Sequence, residues 1–197
     1  MFQEGIILSQ SRPGTRLSLS GLGRSSLFGR FLKRKSGASA VEFALIVAPF
    51  LVLLIGLFEV AMIFIAMTTM EHGVAEAARR IRTGELQASG ASAESFKDLV
   101  CDATFGILDC DERLMVDVRV FDDFGSAQGD NPLQDGEIDE DSLQFDAGQG
   151  SDIVLARVFY EWQIITPMIG GPMSNMTGDR RLLQASVAFR NEPFGDR

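Results

Sequence analysis

The stretch SGASAVEFALIVAPFLVLLIGLFEVAMIFIAMTTM, residues 36–70, is a long apolar run that decides the fold of this chain. It carries no charge from Phe43 to Phe58, and beyond Glu59 it stays uncharged to Met70. A membrane-spanning helix needs about 20 mostly apolar residues, so the run is long enough to cross a bilayer. The alternative is a buried core helix of a soluble protein, but such a helix is rarely so long and so apolar on every side.

Charge is distributed very unevenly around this run. Residues 1–37 contain seven Lys or Arg and one acid, whereas residues 71–197 contain 11 basic and 24 acidic residues. Basic flanks of a membrane helix stay in the cytoplasm, so the N-terminus is expected inside and the acidic remainder outside. An acidic domain repels nucleic acid, and no nucleic-acid partner is expected.

Three parts are therefore predicted. Residues 1–37 form a basic cytoplasmic leader or tail. Residues 38–84 form the transmembrane helix and its extension beyond the membrane, with a bend at Pro49 and an end near Gly84. Residues 85–197 form a small α+β domain outside the cytoplasm.

Hydrophobic patterns predict one short helix and three strands in this outer domain. Ser92 is a typical N-cap for a helix over residues 91–101. Alternating apolar residues, or runs rich in β-branched and aromatic residues, predict the strands; they cover residues 113–121, 152–166 and 180–191. Polar connections favour a three-stranded antiparallel sheet, and the emergent end of the long helix is available to cover its apolar face.

Residues 122–151 are rich in Gly, Asp, Gln and Ser and are predicted to form a long exposed loop. Its acidic run, residues 135–146, lacks the ordered ligand spacing of a calcium loop, so a solvated loop is favoured over a metal site. The sequence contains no phosphate loop, zinc motif or catalytic triad pattern. No cofactor and no enzymatic activity are therefore predicted.

Cys101 and Cys110 are the only two cysteines. In a domain outside the cytoplasm they are expected to pair and to close a short loop. Such a disulfide contributes on the order of 2–3 kcal/mol. Metal binding would require more ligands, and the only histidine, His72, is distant in sequence.

Glu59 interrupts the apolar run, and an unpaired acid at that depth is costly in a membrane. One interpretation is that Glu59 forms a salt bridge or hydrogen bond with a partner helix. The other is that the kinked helix leaves Glu59 near the outer interface. Both remain open at this point.

Gly37 and Glu42 form a separate pattern. A glutamate five residues after a glycine, with basic residues before and a long apolar helix after, is typical of a type IV prepilin processing site. The cut would fall between Gly37 and Ala38, where small residues admit the backbone to a protease cleft. The freed α-amino group of a neighbouring subunit would then pair with Glu42 and offset its cost in hydrocarbon. Alternatively, Glu42 sits in the headgroup region at the membrane edge.

These residues resemble the TadE-like pseudopilins of the tight-adherence (Flp, type IVc) pilus system. The shared features are a small-residue segment with Val-Glu-Phe-Ala, a following proline, an apolar run and an Ala-Ala-Arg stretch; here they are residues 40–44, Pro49, residues 51–58 and residues 77–79. The resemblance implies a bitopic inner-membrane protein with a pilin-like periplasmic domain. It also implies cleavage by a prepilin peptidase and contacts with other pilins and the Tad secretion machinery.

Phe43 stands where the major pilin of these systems usually has Tyr, which favours a minor pseudopilin acting at the pilus base or in the filament. The alternative is an uncleaved single-span membrane protein, a surface or periplasmic binding module. The N-terminal residue of the mature protein distinguishes the two, because a pseudopilin would begin at Ala38.

Overall fold

The computed structural model describes residues 35–166 and 170–195. In chain order its elements are α1 (Lys35–Arg82), α2 (Glu85–Ser89), α3 (Ala93–Ala103), α4 (Cys110–Arg113), β1 (Leu114–Phe121), β2 (Leu133–Gln134), β3 (Glu137–Ile138), a 3-10 turn (Glu140–Ser142), β4 (Ile153–Gln163), α5 (Gly170–Met173) and β5 (Arg180–Arg190). The chain divides into two units, Met1–Val47 and Ala48–Arg197. Most of the predicted basic leader lies outside the described residues.

Helix α1 is 48 residues long and confirms the predicted long apolar helix. Pro49 lies inside it, and the bend expected there stays a prediction. Three arginines in the last turn interact favourably with the negative end of the helix dipole. Gly84 follows the helix in the left-handed conformation, with φ 79°, and its N–H bonds to the Ile81 carbonyl. A glycine adopts this conformation without steric cost, so the chain turns here as predicted.

Helix α3 begins at the predicted cap. The Ser92 hydroxyl accepts a hydrogen bond from the Ser95 N–H, and the Ser95 hydroxyl accepts one from the Ser92 N–H. This reciprocal pair satisfies amide groups that the first helical turn leaves without partners. Phe96 and Val100 on one face of α3 are buried.

The three long strands form one antiparallel sheet in the order β1-β4-β5. β4 is the central strand; Ala156 pairs with Val118 of β1 and with Val187 of β5. The predicted sheet is confirmed, and its strands are shorter than predicted by one to four residues.

One face of the sheet and one face of α1 form the core of the domain. The buried apolar residues of α1 recur every three or four positions, as expected for a helix face against a sheet; they are Ile63, Ala66, Met70, Val74, Ala77, Ala78 and Ile81. Their partners include Val118 of β1, Val158 of β4 and Leu183 of β5. The predicted cover of the sheet by the end of the long helix is therefore present.

Gly73 determines how closely α3 approaches α1. A Cβ atom at this position would lie 2.9 Å from the Val100 carbonyl oxygen and 3.2 Å from a Val100 methyl carbon. These distances are too short for an added carbon, so only glycine permits the packing of α3 on the long helix.

Residues 122–151 are more ordered than the predicted exposed loop. They contain the β2–β3 hairpin and the 3-10 turn, and their final part runs beside β1. The Val118 N–H donates to the Gln144 carbonyl at 2.8 Å, and the Asp146 N–H donates to the Val118 carbonyl at 2.9 Å. β1 lies at the edge of the sheet, so its outer backbone groups need partners. Residues 144–146 supply these partners, although the polar composition of the loop gives no sign of it.

Candidate functional site

The apolar surface of α1 is the most extensive candidate site. Over Gly37–Arg82 the helix is long and apolar enough to cross a membrane. Only 22% of its most apolar 18-residue stretch is buried. A core helix of a soluble protein would bury most of this surface. In α1, by contrast, most large apolar side chains from Val41 to Ile65 are exposed, and Phe43, Leu53 and Phe64 are among them. This is consistent with a single-pass membrane anchor.

The predicted processing residues lie in the first turns of α1. Gly37 is half-buried, and Ala38, Glu42 and Phe43 are exposed. Gly37 and Ala38 belong to the first turn, whose N–H groups have no partner within a helix. Opening this turn for a protease breaks few hydrogen bonds. Cleavage at Gly37 and a register role for Glu42 stay predictions.

Glu59 lies in quite different surroundings, because it is 5% exposed in the middle of an apolar helix. Its Oε1 accepts a hydrogen bond from the Ile165 N–H at 2.7 Å, and its Oε2 accepts one from the Thr166 N–H at 2.9 Å. Bonds from backbone N–H to a carboxylate are charge-assisted and stronger than neutral ones. Glu59 therefore fastens the chain just beyond β4 to the long helix.

Two further donors lie near the Glu59 carboxylate. The Thr166 hydroxyl and the Trp162 indole N–H are close to it, but neither has a partner of hydrogen-bond geometry among the described residues. The sequence predictions for Glu59 considered a partner helix or the membrane interface and missed a partner within the same chain. A buried acid in an apolar run was the available signal, but it does not identify the partner 106 residues away.

The cysteines are joined in the structure. A disulfide links Cys101 in α3 to Cys110 in α4, with Cα atoms 6.0 Å apart. Lys97 donates from Nζ to the Asp111 carbonyl at 3.0 Å across the same loop. Both cross-links hold the chain between α3 and β1, which positions the strand at the edge of the sheet.

A buried ionic cluster on the other face of the sheet was missed by sequence analysis. Asp117 of β1 and Arg157 of β4 are direct cross-strand partners, and both are buried. The Asp117 carboxylate accepts from Arg157 Nη2 at 2.7 Å and from Arg119 Nε at 2.8 Å. Asp117 lies on the face of β1 opposite the apolar side chains, and residues 129–144 cover that face.

The loop closes over this cluster through backbone contacts. Arg157 Nη1 donates to the Asp130 carbonyl at 2.7 Å, and the Gln144 N–H donates to Asp117 Oδ1 at 3.0 Å. Gly129 lies so close to the Arg157 guanidinium that a Cβ atom added at this position would displace that group. A polar cleft of about 290 Å³ remains beside the cluster, lined in part by Arg119 and Arg157.

The acidic run is partly engaged in ion pairs. Arg180 of β5 donates from Nη2 to the Glu137 carboxylate at 2.6 Å and from Nη1 to Glu161 at 2.5 Å. A hydrogen bond from the Thr177 hydroxyl, followed by the pairing with Arg180, lowers the pKa of Glu137 below its ordinary value. Among the described residues, no three His, Cys, Asp or Glu side chains cluster as ligands for a metal ion.

The comparisons with known proteins concern the long helix. Residues 37–79 match the family model of the TadE-like proteins. The match confirms the resemblance predicted from the sequence over this segment, and it indicates involvement in a tight-adherence pilus system. The TadE-like proteins are a pilus-associated structural family and not an enzyme family. Neither the curated proteins nor the solved structures gave a significant match.

Proposed function

We propose that this TadE-like chain is a minor pseudopilin of a Flp/Tad-type adhesion pilus. It is a single-pass inner-membrane protein with its N-terminus in the cytoplasm and its globular domain in the periplasm. It acts structurally, by packing of α1 against the helices of other pilins or pseudopilins, at the pilus base or in the filament. Its further partners are the Tad secretion machinery and the prepilin peptidase.

The observation that carries this proposal is the division of α1 into two parts. Before Glu59 most of the large apolar side chains are exposed, whereas after it one face is buried against the sheet. A segment that leaves its apolar surface uncovered needs lipid or other helices around it. The match at residues 37–79 assigns such a helix to a pilus-associated family.

Processing would prepare this helix for assembly. Cleavage between Gly37 and Ala38 creates a cationic α-amino group at the beginning of the remaining helix. Glu42 is exposed four residues further on, so on a neighbouring subunit it is available to pair with that group. An ion pair between subunits fixes the register of the two helices, because misaligned subunits leave both charges unpaired.

The proposal is tested by the N-terminal sequence of the mature protein isolated from membranes. A mature chain that begins at Ala38 supports the pseudopilin. Gly37→Lys blocks cleavage, because a long charged side chain cannot replace the small residue before the cut, whereas the matched control Gly37→Ala is still processed. Mature-size protein from Gly37→Lys in a strain with active peptidase contradicts the proposed site.

The second candidate is an uncleaved, membrane-anchored binding protein. The polar cleft beside Arg119 and Arg157 favours it, since two arginines share one buried carboxylate there. This candidate predicts a mature chain that keeps residues 1–37, and cells that form normal pili when the gene is deleted.

A further inference from the structure

The uncharged stretch of α1 between Glu42 and Glu59 is too short to span the hydrocarbon layer of a bilayer by itself. Residues 43–58 rise roughly 24 Å at about 1.5 Å per residue, whereas the hydrocarbon layer is about 30 Å thick. About four more residues must lie within hydrocarbon, and a tilted helix requires still more. One of the two flanking acids, Glu42 or Glu59, therefore comes to the depth of the acyl chains.

Glu59 is the acid that enters at the lower cost. Its two carboxylate oxygens accept hydrogen bonds from backbone amides, and its side chain is shielded by the domain. Glu42 is exposed and has no hydrogen-bond or ion-pair partner among the described residues. Because an unpaired charge in hydrocarbon is expensive, the helix is most stable with Glu42 at one membrane surface and Glu59 inside the opposite leaflet.

Ile165 follows Glu59 to this depth. Its N–H is bonded to Glu59, and its side chain, two residues beyond the end of β4, is 76% exposed. The neighbouring residues Trp162 to Thr166 carry no charge. On α1, exposed apolar side chains continue past Glu59 to Phe64 and Ile65, without an intervening charge.

We propose that the foot of the globular domain, defined as Ile165 with the exposed apolar side chains of residues 58–65, is immersed in the membrane leaflet on the side of the domain. The occupant of this surface is lipid, because the surface is continuous with the apolar side of the membrane span. Immersion of the foot sets the depth of α1. It also ties the end of β4 to the membrane surface, which limits the freedom of the domain to tilt. The immersed foot requires membrane insertion of α1 and is independent of a role in pili.

Fluorescence quenching in lipid vesicles tests the foot directly. The chain has a single tryptophan, Trp162, so Trp162→Phe provides a background for one new tryptophan at a time. The full chain carrying Ile165→Trp is reconstituted in phosphatidylcholine–phosphatidylglycerol vesicles, with or without lipids brominated near the glycerol end of the acyl chains. Bromine quenches tryptophan at short range, so Ile165→Trp loses most of its emission.

Two matched variants make the result specific. Phe50→Trp lies in the exposed apolar part of α1 and, with lipids brominated near the methyl end of the acyl chains, reports membrane insertion itself. Phe124→Trp is exposed beyond the other end of the sheet, where β1 ends, and keeps its emission. If the Trp162→Phe background fails to fold, the wild-type chain provides the measurement, because Trp162 lies beside Glu59 and is quenched as well.

The outcomes separate the inference from the anchoring on which it depends. Quenching of Phe50→Trp without quenching of Ile165→Trp overturns the immersed foot and leaves the anchor intact. Absence of quenching at both positions contradicts the anchor, and the foot with it. Blue-shifted but unquenched emission from Ile165→Trp means that protein covers the foot, which also overturns lipid as the occupant.

Discussion

Glu42 and Glu59 lie in the same apolar helix, but their surroundings differ. Glu59 is buried beneath the domain and holds the Ile165 and Thr166 amides. Glu42 is exposed, and no side chain or amide among the described residues pairs with it. The difference teaches that one acid serves the fold of its own chain. For the other, no such partner exists among residues 35–166 and 170–195, and we propose that it acts at the membrane surface or on a neighbouring subunit.

Asp117 extends the comparison to an acid that is buried and ion-paired, and its loss has the largest expected effect. Asp117→Ala leaves Arg157 buried without its counter-charge and is expected to cost about 3–5 kcal/mol of unfolding free energy. The measurement is urea unfolding of the full chain in detergent micelles. Asp130→Ala is the control, because Asp130 is exposed and 3.9 Å from Arg119, and it should change stability by less than about 0.5 kcal/mol. Equal losses in both variants would show that burial of the pair is unimportant.

Glu59→Ala is the next largest change and tests the internal role of this acid. It leaves two amide groups without acceptors, at a cost of about 2–4 kcal/mol. Glu59→Gln keeps one acceptor oxygen and is expected to lose less unfolding free energy than Glu59→Ala. Amide hydrogen exchange at Ile165 and Thr166 should accelerate in Glu59→Ala, while exchange at Ala156 in the centre of the sheet changes far less. Unchanged exchange at both residues would refute the role of Glu59 as the acceptor that holds their amides to α1.

The helices and strands were more predictable from the sequence than the contacts between them. The helix, the cap at Ser92 and the three strands follow from local periodicity and capping chemistry, so they were predictable. The partners of Glu59 and Asp117 lie 106 and 40 residues away in sequence. Periodicity assigns a residue to a face but does not show what covers that face, and this is why the buried cluster and the ordered loop were missed.

Glu137 provides a smaller test, of an acid that is paired without being buried. Hydrogen bonding from Thr177 and pairing with Arg180 lower its pKa in the folded state. The resulting stabilisation is present above the ordinary carboxyl pKa and is lost as the pH falls below about 4.5 through the lowered value. NMR titration of the carboxyl carbon should show that Thr177→Val raises the Glu137 pKa toward its ordinary value. An identical titration curve in wild type and variant would contradict this cause.

The most direct test of the difference between the two acids is the number of pili on cells in which Glu42→Ala is the only copy. The unfolding midpoint and membrane level of this variant should equal those of the wild type, because Glu42 has no partner among the described residues of its own chain. We predict that the variant is processed and folded but that cells form few pili. Wild-type piliation by Glu42→Ala, at equal protein level, would contradict the claim that this acid acts between subunits.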